Sequence, residues 1–371
     1  MVPPSAPWVS RAMPRTRTNM RPSPAFGPPA WSPIPKRPRR TGAMRDFETT
    51  RRGALAAAAG LLATPALAQA WPDRPIRLVI PFPAGGPTDV YARFYAERMT
   101  AELGQSVVTE NRGGAGGAIG AMEVARARPD GNTLLFGTAS THALYNLVTR
   151  QPQYDAAKDF QAVATLGGGP LCWLAHPGQP GTLADFLAKA RTARPPLAYG
   201  SPGTGTLMHL ATEILKREAG GVEINHIPYR GAAPAMSDLV AGTLALAVNT
   251  LGAGLALHQS GRARMLAVAS AARAPQAPEV PTAAEALGRP GFTAVLWHAV
   301  FAPPGLPPAV LARLSAATNA ALSDAAFRTR LNAAGIEPAA PGTPGSAAAY
   351  IAAEQARYRP IVEAIRPELD A

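Results

Sequence analysis

Short apolar runs alternate with longer amphipathic stretches along the chain beyond its first 70 residues. Ile76–Phe82 (IRLVIPF) is an apolar run typical of a buried parallel strand, and Asp89–Leu103 has apolar residues at helical spacing. QSVVTEN predicts a second strand, RGGAGGAIGAMEVARARPDG predicts a glycine turn followed by a helix, and TLLFGT predicts a third strand. This alternation predicts an α/β sheet with right-handed crossovers.

A second alternating block begins near Leu171. Phe292–Gly305 (FTAVLWHAVFAPPG) predicts a long strand that returns from this block to the first, and helices near 307–322, 324–334 and 344–366 close the chain. Within the block, the predicted strands are LCWLAH, LAYGS, VEINHIPY, LALAVNT and MLAVAS, and the predicted helices are TLADFLAKA, residues 205–218, AAPAMSDLVAG and GAGLALHQSG.

Two blocks of this kind predict a two-lobed α/β fold. We expect residues 71–170 and 292–371 to form lobe 1, and residues 171–291 to form lobe 2. Ligands of open α/β sheets bind at the carboxyl ends of the strands. The pattern therefore predicts a ligand cleft between the lobes.

The net charge of +12 does not belong to the predicted fold. Residues 1–70 hold 11 of the 36 Lys and Arg and 2 of the 24 Asp and Glu, so 25 basic and 22 acidic residues remain, a net charge of +3. These basic residues are scattered, which argues against a nucleic-acid footprint. Residues 1–43 are rich in Pro and Arg without apolar periodicity, so we expect a disordered or mis-annotated extension there.

Residues 44–70 have the order of elements of an export signal. Arg51 and Arg52 form the charged region, Ala54–Leu62 forms the apolar region, and small residues end at Ala68 and Ala70. An internal alanine-rich helix is the alternative. The arginine pair leaves both twin-arginine and Sec export open. Cleavage near Ala68 or Ala70 predicts a periplasmic protein, and no later apolar stretch is long enough to span a bilayer.

Side chains for covalent or metal chemistry are sparse. Cys172 is the only cysteine, which excludes an intramolecular disulfide and a thiolate metal cluster. The six histidines have neither HxxxH nor HExxH spacing, and there is no phosphate-binding GxxxxGK[ST] motif. Ser201 lies in Gly-Ser-Pro-Gly rather than in a GxSxG elbow, so a serine hydrolase is disfavoured. We expect no catalytic residue, cofactor or metal.

Three turns of small residues follow predicted strands: PFPAGGPTD (81–89), NRGGAGGAIG (111–120) and YGSPGTGT (199–206). A glycine turn that opens a helix directs backbone N–H groups outward at the positive end of the helix dipole. Each turn alone is better explained by a tight turn and close packing. Together they predict a cleft that binds an anion through backbone donors.

Two charged residues near these turns have alternative roles. Asp89 in the first turn of a helix can accept N–H groups there, order the preceding loop, or meet the amino group of a zwitterionic ligand. Arg230, after HIPY, can balance a second carboxylate of a ligand or be a solvated surface arginine. The sequence leaves these alternatives open.

Five stretches in order along the mature chain resemble the Bug-type solute receptors of tripartite tricarboxylate transporters. They are WPDRPIRLVIPFPAGGPTDVYAR, VVTENRGGAGGAIGAMEVARARPDGNTLLFGT, YGSPGTGTLMHLATE, HIPYRGAAPAMSDLVAG and APEVPTAAEA. The resemblance implies a two-lobed periplasmic-binding-protein-like fold that closes over a small carboxylate and delivers it to a large and a small permease subunit. It implies no nucleic-acid partner and a monomer.

The resemblance also implies a set of ligand-binding residues that act largely through loop backbone, hydroxyls and bridging water. Arg230 stands where the family usually has lysine, Asn249 replaces a frequent aspartate, and Pro202 interrupts the serine-glycine turn. These departures concern the identity of the ligand. The residues carried over are Phe82, Ala84, Gly85, Gly86, Thr88, Asp89, Thr138, Ser140, Ser201, Thr204, Thr206, Tyr229, Arg230 and Asn249.

The sequence leaves three functions to distinguish. The first is an extracytoplasmic receptor that binds a di- or tricarboxylate or a related organic acid for a permease. The second is a receptor that reports its ligand to a signalling partner, and the third is an exported hydrolase.

Overall fold

The computed structural model describes residues 71–366, so the predicted extension and export signal lie outside the described residues. None of the helices within this range is both long and apolar enough to cross a membrane. The strands are β1 (Ile76–Ile80), β2 (Val107–Asn111), β3 (Thr133–Thr138), β4 (Gln161–Ala175), β5 (Ala198–Ser201), β6 (Asn225–Pro228), β7 (Leu246–Thr250), β8 (Arg264–Val268), β9 (Val295–Ala302) and β10 (Glu337–Pro338).

Helices follow most of the strands, as the alternating pattern predicts. A 3-10 turn (Ala115–Gly117) precedes the second helix, and a π-helical turn (Ser140–Leu144) precedes the third. The α-helices are α1 (Pro87–Leu103), α2 (Ala118–Ala125), α3 (Tyr145–Val148), α4 (Leu183–Thr192), α5 (Leu207–Glu218), α6 (Ala232–Val240), α7 (Leu251–Gln259), α8 (Ala283–Leu287), α9 (Pro308–Ser323), α10 (Ala325–Ala333) and α11 (Pro344–Ala364).

The strands follow the order β2-β1-β3-β9-β4-β7-β5-β6, with β10 and β8 paired to β4 outside this path. Strands β1, β2 and β3 are parallel to one another, as are β5, β6 and β7. The returning strand β9 is antiparallel to both β3 and β4. A parallel group therefore lies at each end of the order, with antiparallel strands between.

Strand β4 belongs to both parts of the sheet. Residues 161–170 pair with β9, whereas residues 171–175 pair with β7 and β8. The apolar pattern predicted a strand only from Leu171, which is wrong: the strand begins ten residues earlier, at Gln161. Three consecutive glycines and Pro170 interrupt the apolar pattern there, although the backbone stays extended.

Most other predicted elements agree with the structure to within a few residues. The three closing helices lie at residues 308–323, 325–333 and 344–364. Helix α1 begins two residues earlier than predicted because Pro87 occupies its first turn, where a missing N–H is tolerated. The turn and helix at residues 140–148 had no periodic signal in the sequence.

Buried apolar side chains cover both faces of the strands. One cluster packs β1, β3 and β9 against α1 and α9, and another packs β7 and β8 against α6 and α7. A third cluster runs from Val79 through Trp173 and Tyr199 to Trp297 and Ile365, so it includes residues from early, middle and late in the chain. This continuous core fixes the strand ends from which the candidate site is built.

Candidate functional site

A small inner cavity of about 30 Å³ lies where the first loop (residues 81–86, after β1), the segment after β3 and the turn after β5 meet. The N-termini of three helices reach it: Gly86, Pro87 and Thr88 open α1, Thr206 and Met208 open α5, and Ala232 opens α6. The complete lining is Phe82, Pro83, Gly86, Pro87, Thr88, Ser140, Pro202, Thr206, Met208, Ala232 and Leu296.

The inner cavity is lined mostly by apolar side chains and has no charged residue. Among its lining residues there is no Asp, Glu, Lys, Arg or His. The first N–H groups of a helix have no acceptor within that helix, and the helix dipole makes this end positive. Thr88 and Ser140 add hydroxyl groups, whereas the hydroxyl of Thr206 donates to the Gly203 carbonyl. The site can therefore stabilise an anion with hydrogen-bond donors, without a formal positive charge.

Asp89 holds the first loop in shape. Its carboxylate accepts hydrogen bonds from the Gly85 N–H at 3.0 Å, from Asn111 Nδ2 at 2.9 Å and from Arg93. Burial alone would raise the pKa of Asp89, but these three donors outweigh it and the pKa is lowered. The N-cap of α1 is Gly86, so Asp89 orders the loop rather than capping the helix.

The hydroxyl of Ser140 joins two distant segments of the chain. Ser140 lies just after β3, and its Oγ accepts a hydrogen bond from the N–H of Leu207, the first residue of α5, at 3.1 Å. Thr138, at the end of β3, is buried, and its N–H donates to Thr141 Oγ1. Thr138 therefore bonds within its own segment, and of the residues in this segment Ser140 lines the cavity.

Several hydrogen-bond donors of the turn after β5 bond to acceptors within the turn and the start of α5. The sequence predicted that these N–H groups would point outward, toward a ligand. The Gly203 N–H donates to Ser201 Oγ, and the Gly205 N–H donates to His209 Nδ1. Thr206 Oγ1 donates to the Gly203 carbonyl at 2.7 Å and caps α5. The turn is thus a rigid support, and the start of α5 forms the cavity wall.

Ser201 and His226 form a close pair beneath this turn. Ser201 Oγ lies 2.7 Å from His226 Nε2, and the His226 ring stacks on His209 at 4.0 Å between centroids. Burial lowers the pKa of His226 to about 3 and that of His209 to about 4, so both rings are neutral at pH 7. Ser201 is fully buried and lines neither of the cavities at this site. The pair supports the turn, and its serine is not exposed to a substrate in either cavity.

An outer cavity of about 250 Å³ adjoins the inner one. Phe82, Pro83 and Pro202 line both cavities. Arg230 is exposed and is the charged residue of the outer lining. The remaining members of the outer lining are Gly114, Ala115, Gly116, Gly117, Gly203, Thr204, Pro228, Tyr229 and Gly231.

The structure brings some of the predicted site residues together and leaves others apart. Phe82, Gly86, Thr88, Ser140 and Thr206 line the inner cavity, and Phe82, Thr204, Tyr229 and Arg230 line the outer one. The remaining predicted residues, which line neither cavity, are Ala84, Gly85, Asp89, Thr138, Ser201 and Asn249.

Asn249 and Tyr229 have partners within the protein. Asn249 is buried at the end of β7, and its Oδ1 accepts a hydrogen bond from the Thr250 N–H at 2.8 Å. Tyr229 donates its hydroxyl proton to Asp238 at 2.6 Å. Asn249 therefore belongs to the end of β7 and lines neither cavity.

Sequence reasoning missed several residues of the inner cavity. Met208, Ala232 and Leu296 line it, and His298 lies behind Thr88. The first three are apolar side chains that a pattern assigns to the core. The position of Ala232 directly after a glycine at a helix start was the available signal. Among residues 71–366, no group of three or more His, Cys, Asp and Glu is arranged to hold a metal ion.

Comparisons with known proteins agree with this architecture. A family profile described as the tripartite tricarboxylate transporter family receptor matches residues 91–366. Protein BugT of Bordetella pertussis is 37% identical over 312 residues, which cover 84% of this chain and 94% of BugT.

Solved structures with the same fold include periplasmic binding proteins. BugD has a TM-score of 0.75 and 32% identity, and the match covers 79% of this chain and 98% of BugD. A protein of R. palustris solved with adipate has a TM-score of 0.75 and 37% identity, and the match covers 79% of this chain and 97% of that protein. MatC of Rhodopseudomonas palustris with bound malate has a TM-score of 0.74 and 33% identity, and the match covers 79% of this chain and 100% of MatC. The chain therefore belongs to the tripartite tricarboxylate transporter receptor family.

Proposed function

We propose that this protein is an extracytoplasmic receptor that captures a small carboxylate and delivers it to the large and small membrane subunits of a tripartite tricarboxylate transporter. The observation that carries the proposal is the inner cavity, where three helix N-termini converge without a charged side chain. Helix N-termini and hydroxyls are donors suited to a carboxylate. Two matched proteins were solved with adipate and malate, which are acids of this kind.

The outer cavity extends the proposal to acids with two ends. One carboxylate would lie in the inner cavity, and a second group would extend past Phe82 and Pro202 toward Arg230. The guanidinium of arginine pairs with carboxylates through two parallel hydrogen bonds. We therefore favour a dicarboxylate over a monocarboxylate as the physiological ligand.

Lobe closure would enclose the ligand. We assign residues 71–170 and 292–371 to lobe 1 and residues 171–291 to lobe 2, with β4 and β9 as the connecting strands. The exchange of strand partners between Pro170 and Leu171 supports this boundary. The Ser140–Leu207 hydrogen bond is then a contact between the lobes that closure forms.

Export would place the receptor in the periplasm. The charged, apolar and small-residue regions of residues 44–70 support a signal cleaved near Ala68 or Ala70. Expression of the full chain with its leader should give a secreted product that begins at Gln69 or Trp71, measured by mass spectrometry of the intact protein. A product that retains residues 44–70 would contradict this proposal.

The two alternative functions make different predictions. A signalling receptor would bind the same acids but would not restore uptake with the permease pair. A hydrolase would need an accessible nucleophile, whereas Ser201, the serine paired with a histidine, is fully buried. No observation in the described structure favours either alternative over carboxylate transport.

A thermal-shift screen of purified residues 71–371 tests the proposed function. The panel contains adipate, malate, succinate, citrate, benzoate and 2-oxoglutarate, with the corresponding amides as uncharged controls. At 100-fold above its Kd, a ligand that binds only the native state adds about 2.7 kcal/mol to the free energy of unfolding. We expect at least one acid, and no amide, to raise the melting temperature. Turnover of an ester or amide without stabilisation by any acid would overturn the proposal.

Arg230 provides a second test, directed at the outer cavity. Arg230→Gln should weaken the binding of a dicarboxylate such as adipate about tenfold, because a hydrogen bond to a charged group contributes roughly 1.5–3 kcal/mol and exposure reduces this value. Hexanoate, which lacks the second carboxylate, should bind both forms equally, as measured by titration calorimetry. Arg262→Gln, at an exposed arginine outside both cavities, is the control for net charge. Equal weakening of both ligands would contradict the two-ended arrangement.

A further inference from the structure

His298 lies directly behind the inner cavity. It is on β9, opposite Thr138 of β3 and Gly167 of β4, and is 3% exposed. Its Nε2 is 3.2 Å from Oγ1 of Thr88, the polar residue at the start of α1 that lines the cavity. The imidazole therefore contacts the cavity through one intervening hydroxyl.

The surroundings of the His298 ring are otherwise aromatic. The rings of Phe136 and Tyr91 lie 5.2 and 5.3 Å from it between centroids. Among the described residues, Nδ1 has no partner in hydrogen-bond geometry. Burial lowers the pKa of His298 to about 3, and the backbone of Gly167 opposes this only in part, so the ring is neutral at pH 7.

A histidine in such a place is a poor choice for stability alone. A buried polar atom without a partner destabilises the fold, whereas a phenylalanine of similar shape would continue the contacts with Phe136 and Tyr91. Besides the Gly167 backbone, which acts on the ring, the side-chain partner of His298 is Thr88. Groups that lower stability but serve a site are common where a ligand binds.

We propose that His298 is a positioning residue for the ligand: it orients the hydroxyl of Thr88 so that this hydroxyl hydrogen-bonds the bound acid. The inference rests on the proposed function, since it concerns the same inner cavity. A threonine hydroxyl rotates when it is isolated. In this arrangement the Nε2–H of the neutral imidazole donates to Thr88 Oγ1, so the hydroxyl proton of Thr88 is free to donate to the carboxylate. The ordering is complete before the ligand arrives.

Replacement of His298 by phenylalanine gives two effects of opposite sign. We expect His298→Phe to bind adipate about tenfold more weakly, which corresponds to about 1.4 kcal/mol. We expect its melting temperature without ligand to be unchanged or to rise by up to about 2 °C relative to the unmodified protein. A histidine with a purely structural role would instead lose stability when it is replaced.

A double-mutant cycle with Thr88→Val tests whether His298 acts through Thr88. Titration calorimetry with adipate, or with malate if adipate does not bind, gives the Kd of each variant. In the Thr88→Val background, His298→Phe should change the Kd by less than twofold, because the hydroxyl that it orients is gone. His298→Gln, which keeps an N–H donor, should bind within about threefold of the unmodified protein. If His298→Phe does not fold, the Kd of His298→Gln for adipate in the presence and absence of Thr88→Val is measured in its place.

His142 is a matched control. It is 1% exposed, stacks on Phe301, bonds Thr141 Oγ1 through Nδ1 and leaves Nε2 without a partner among the described residues. It does not line either cavity of the site. His142→Phe should therefore leave the Kd for adipate within twofold of the unmodified protein.

Three outcomes would overturn the inference. The first is that His298→Phe binds adipate as tightly as the unmodified protein. The second is that His298→Phe still lowers the affinity tenfold in the Thr88→Val background. An equal loss in His142→Phe would show a general effect of burying a phenylalanine. If the unmodified protein binds no acid of the panel, the proposed function fails, and this inference fails with it.

Discussion

Asp89 illustrates how a charged residue near a binding site can act on the protein instead of the ligand. Its carboxylate is only 6% exposed and holds Gly85 from within the loop, Arg93 from within its own helix and Asn111 from the end of β2. The three donors come from three elements, so the carboxylate fixes the first loop against α1 and β2. The shape of the inner cavity depends on this loop.

Asp89→Asn should therefore destabilise the protein in a pH-dependent manner. The folded-state pKa lies below the ordinary value of 3.8, so the carboxylate stabilises the fold above that pH and loses its effect as the pH falls through the lower folded value. We expect a loss of about 1–2 kcal/mol in the free energy of unfolding at pH 7, reduced because Arg93 is half exposed. Urea titrations at pH 7 and pH 3 measure the difference.

The control for this prediction is Asp73→Asn, at an exposed aspartate outside the loop. It should change the free energy of unfolding by less than about 0.5 kcal/mol. An Asp89→Asn deficit of equal size at both pH values would mean that the charge of the carboxylate is not what stabilises the loop.

At the residue scale, the sequence predicts only part of the site. Phe82, Gly86 and Thr88 follow from the glycine turn and the family resemblance, and they do line the inner cavity. Met208 and Leu296 could not be predicted, because an apolar side chain at a cavity has the same pattern as one in the core. The role of Asp89 also needed coordinates, since its partners Gly85, Arg93 and Asn111 lie up to 26 residues apart in the chain.

Among the elements, β4 depends most on its glycines. A Cβ at Gly168 would lie 2.2 Å from the Leu296 carbonyl oxygen, and one at Gly169 would lie 2.7 Å from the Gly335 carbonyl oxygen. Gly167 has φ of 93°, a left-handed conformation that strains other residues. These three residues lie beside β9 and β10, where backbones approach closely.

Gly168→Ala should therefore be strongly destabilising. The nearest atoms are backbone, which can move only by shifting β9, and overpacking of this type costs roughly 1–3 kcal/mol. Chemical unfolding monitored by circular dichroism measures the change. Gly345→Ala, in the first turn of α11, is the control: its added Cβ has only an ordinary contact, and helix propensity predicts a neutral or slightly stabilising change. Equal effects would contradict the role of close backbone approach.

The same glycines explain where element prediction failed. Residues 161–170 form the first part of β4, but Gly-Gly-Gly-Pro has low strand propensity and no alternation of apolar and polar residues. Tertiary contacts with β9 determine the extended conformation there. Where a segment has strong local preferences, as in the closing helices, its type and approximate bounds were predictable.

On the scale of the whole molecule, the proposed closure depends on small residues where the two halves meet. Ala232 is 6% exposed at the start of α6. A Cβ placed at Gly86 would lie 3.9 Å from the Cβ of Ala232. Gly231 is similarly close to the ring of Pro83. Larger side chains here would hold the two segments apart.

Ala232→Phe should thus block closure and binding together. Overpacking of roughly 1–3 kcal/mol predicts at least a tenfold loss of affinity for adipate or malate. Small-angle scattering should show a decrease in the radius of gyration with ligand for the unmodified protein and no decrease for this variant. Ala241→Phe, at the exposed end of α6, should retain both properties. A normal decrease in Ala232→Phe would contradict the proposed closure.

The overall fold was more predictable than its details. Alternating strands and helices predicted an α/β architecture, and the returning strand near residues 292–305 was predicted from one long apolar run that the structure places at Val295–Ala302. Pairing order could not be predicted, because β9 lies between β3 and β4 through contacts between residues far apart in sequence. Such pairing depends on the whole core.

The uncharged lining of the inner cavity has a consequence for the protein as a charged particle. No titratable side chain lines the inner cavity to take up a proton with the ligand, so a monocarboxylate bound there makes the net charge of the complex one full unit more negative. Liganded and free protein should then migrate as separable species in capillary electrophoresis. Short-range dipoles are also screened less by salt than exposed ion pairs, so the contribution of the inner cavity to affinity should change little with ionic strength, whereas that of Arg230 should weaken.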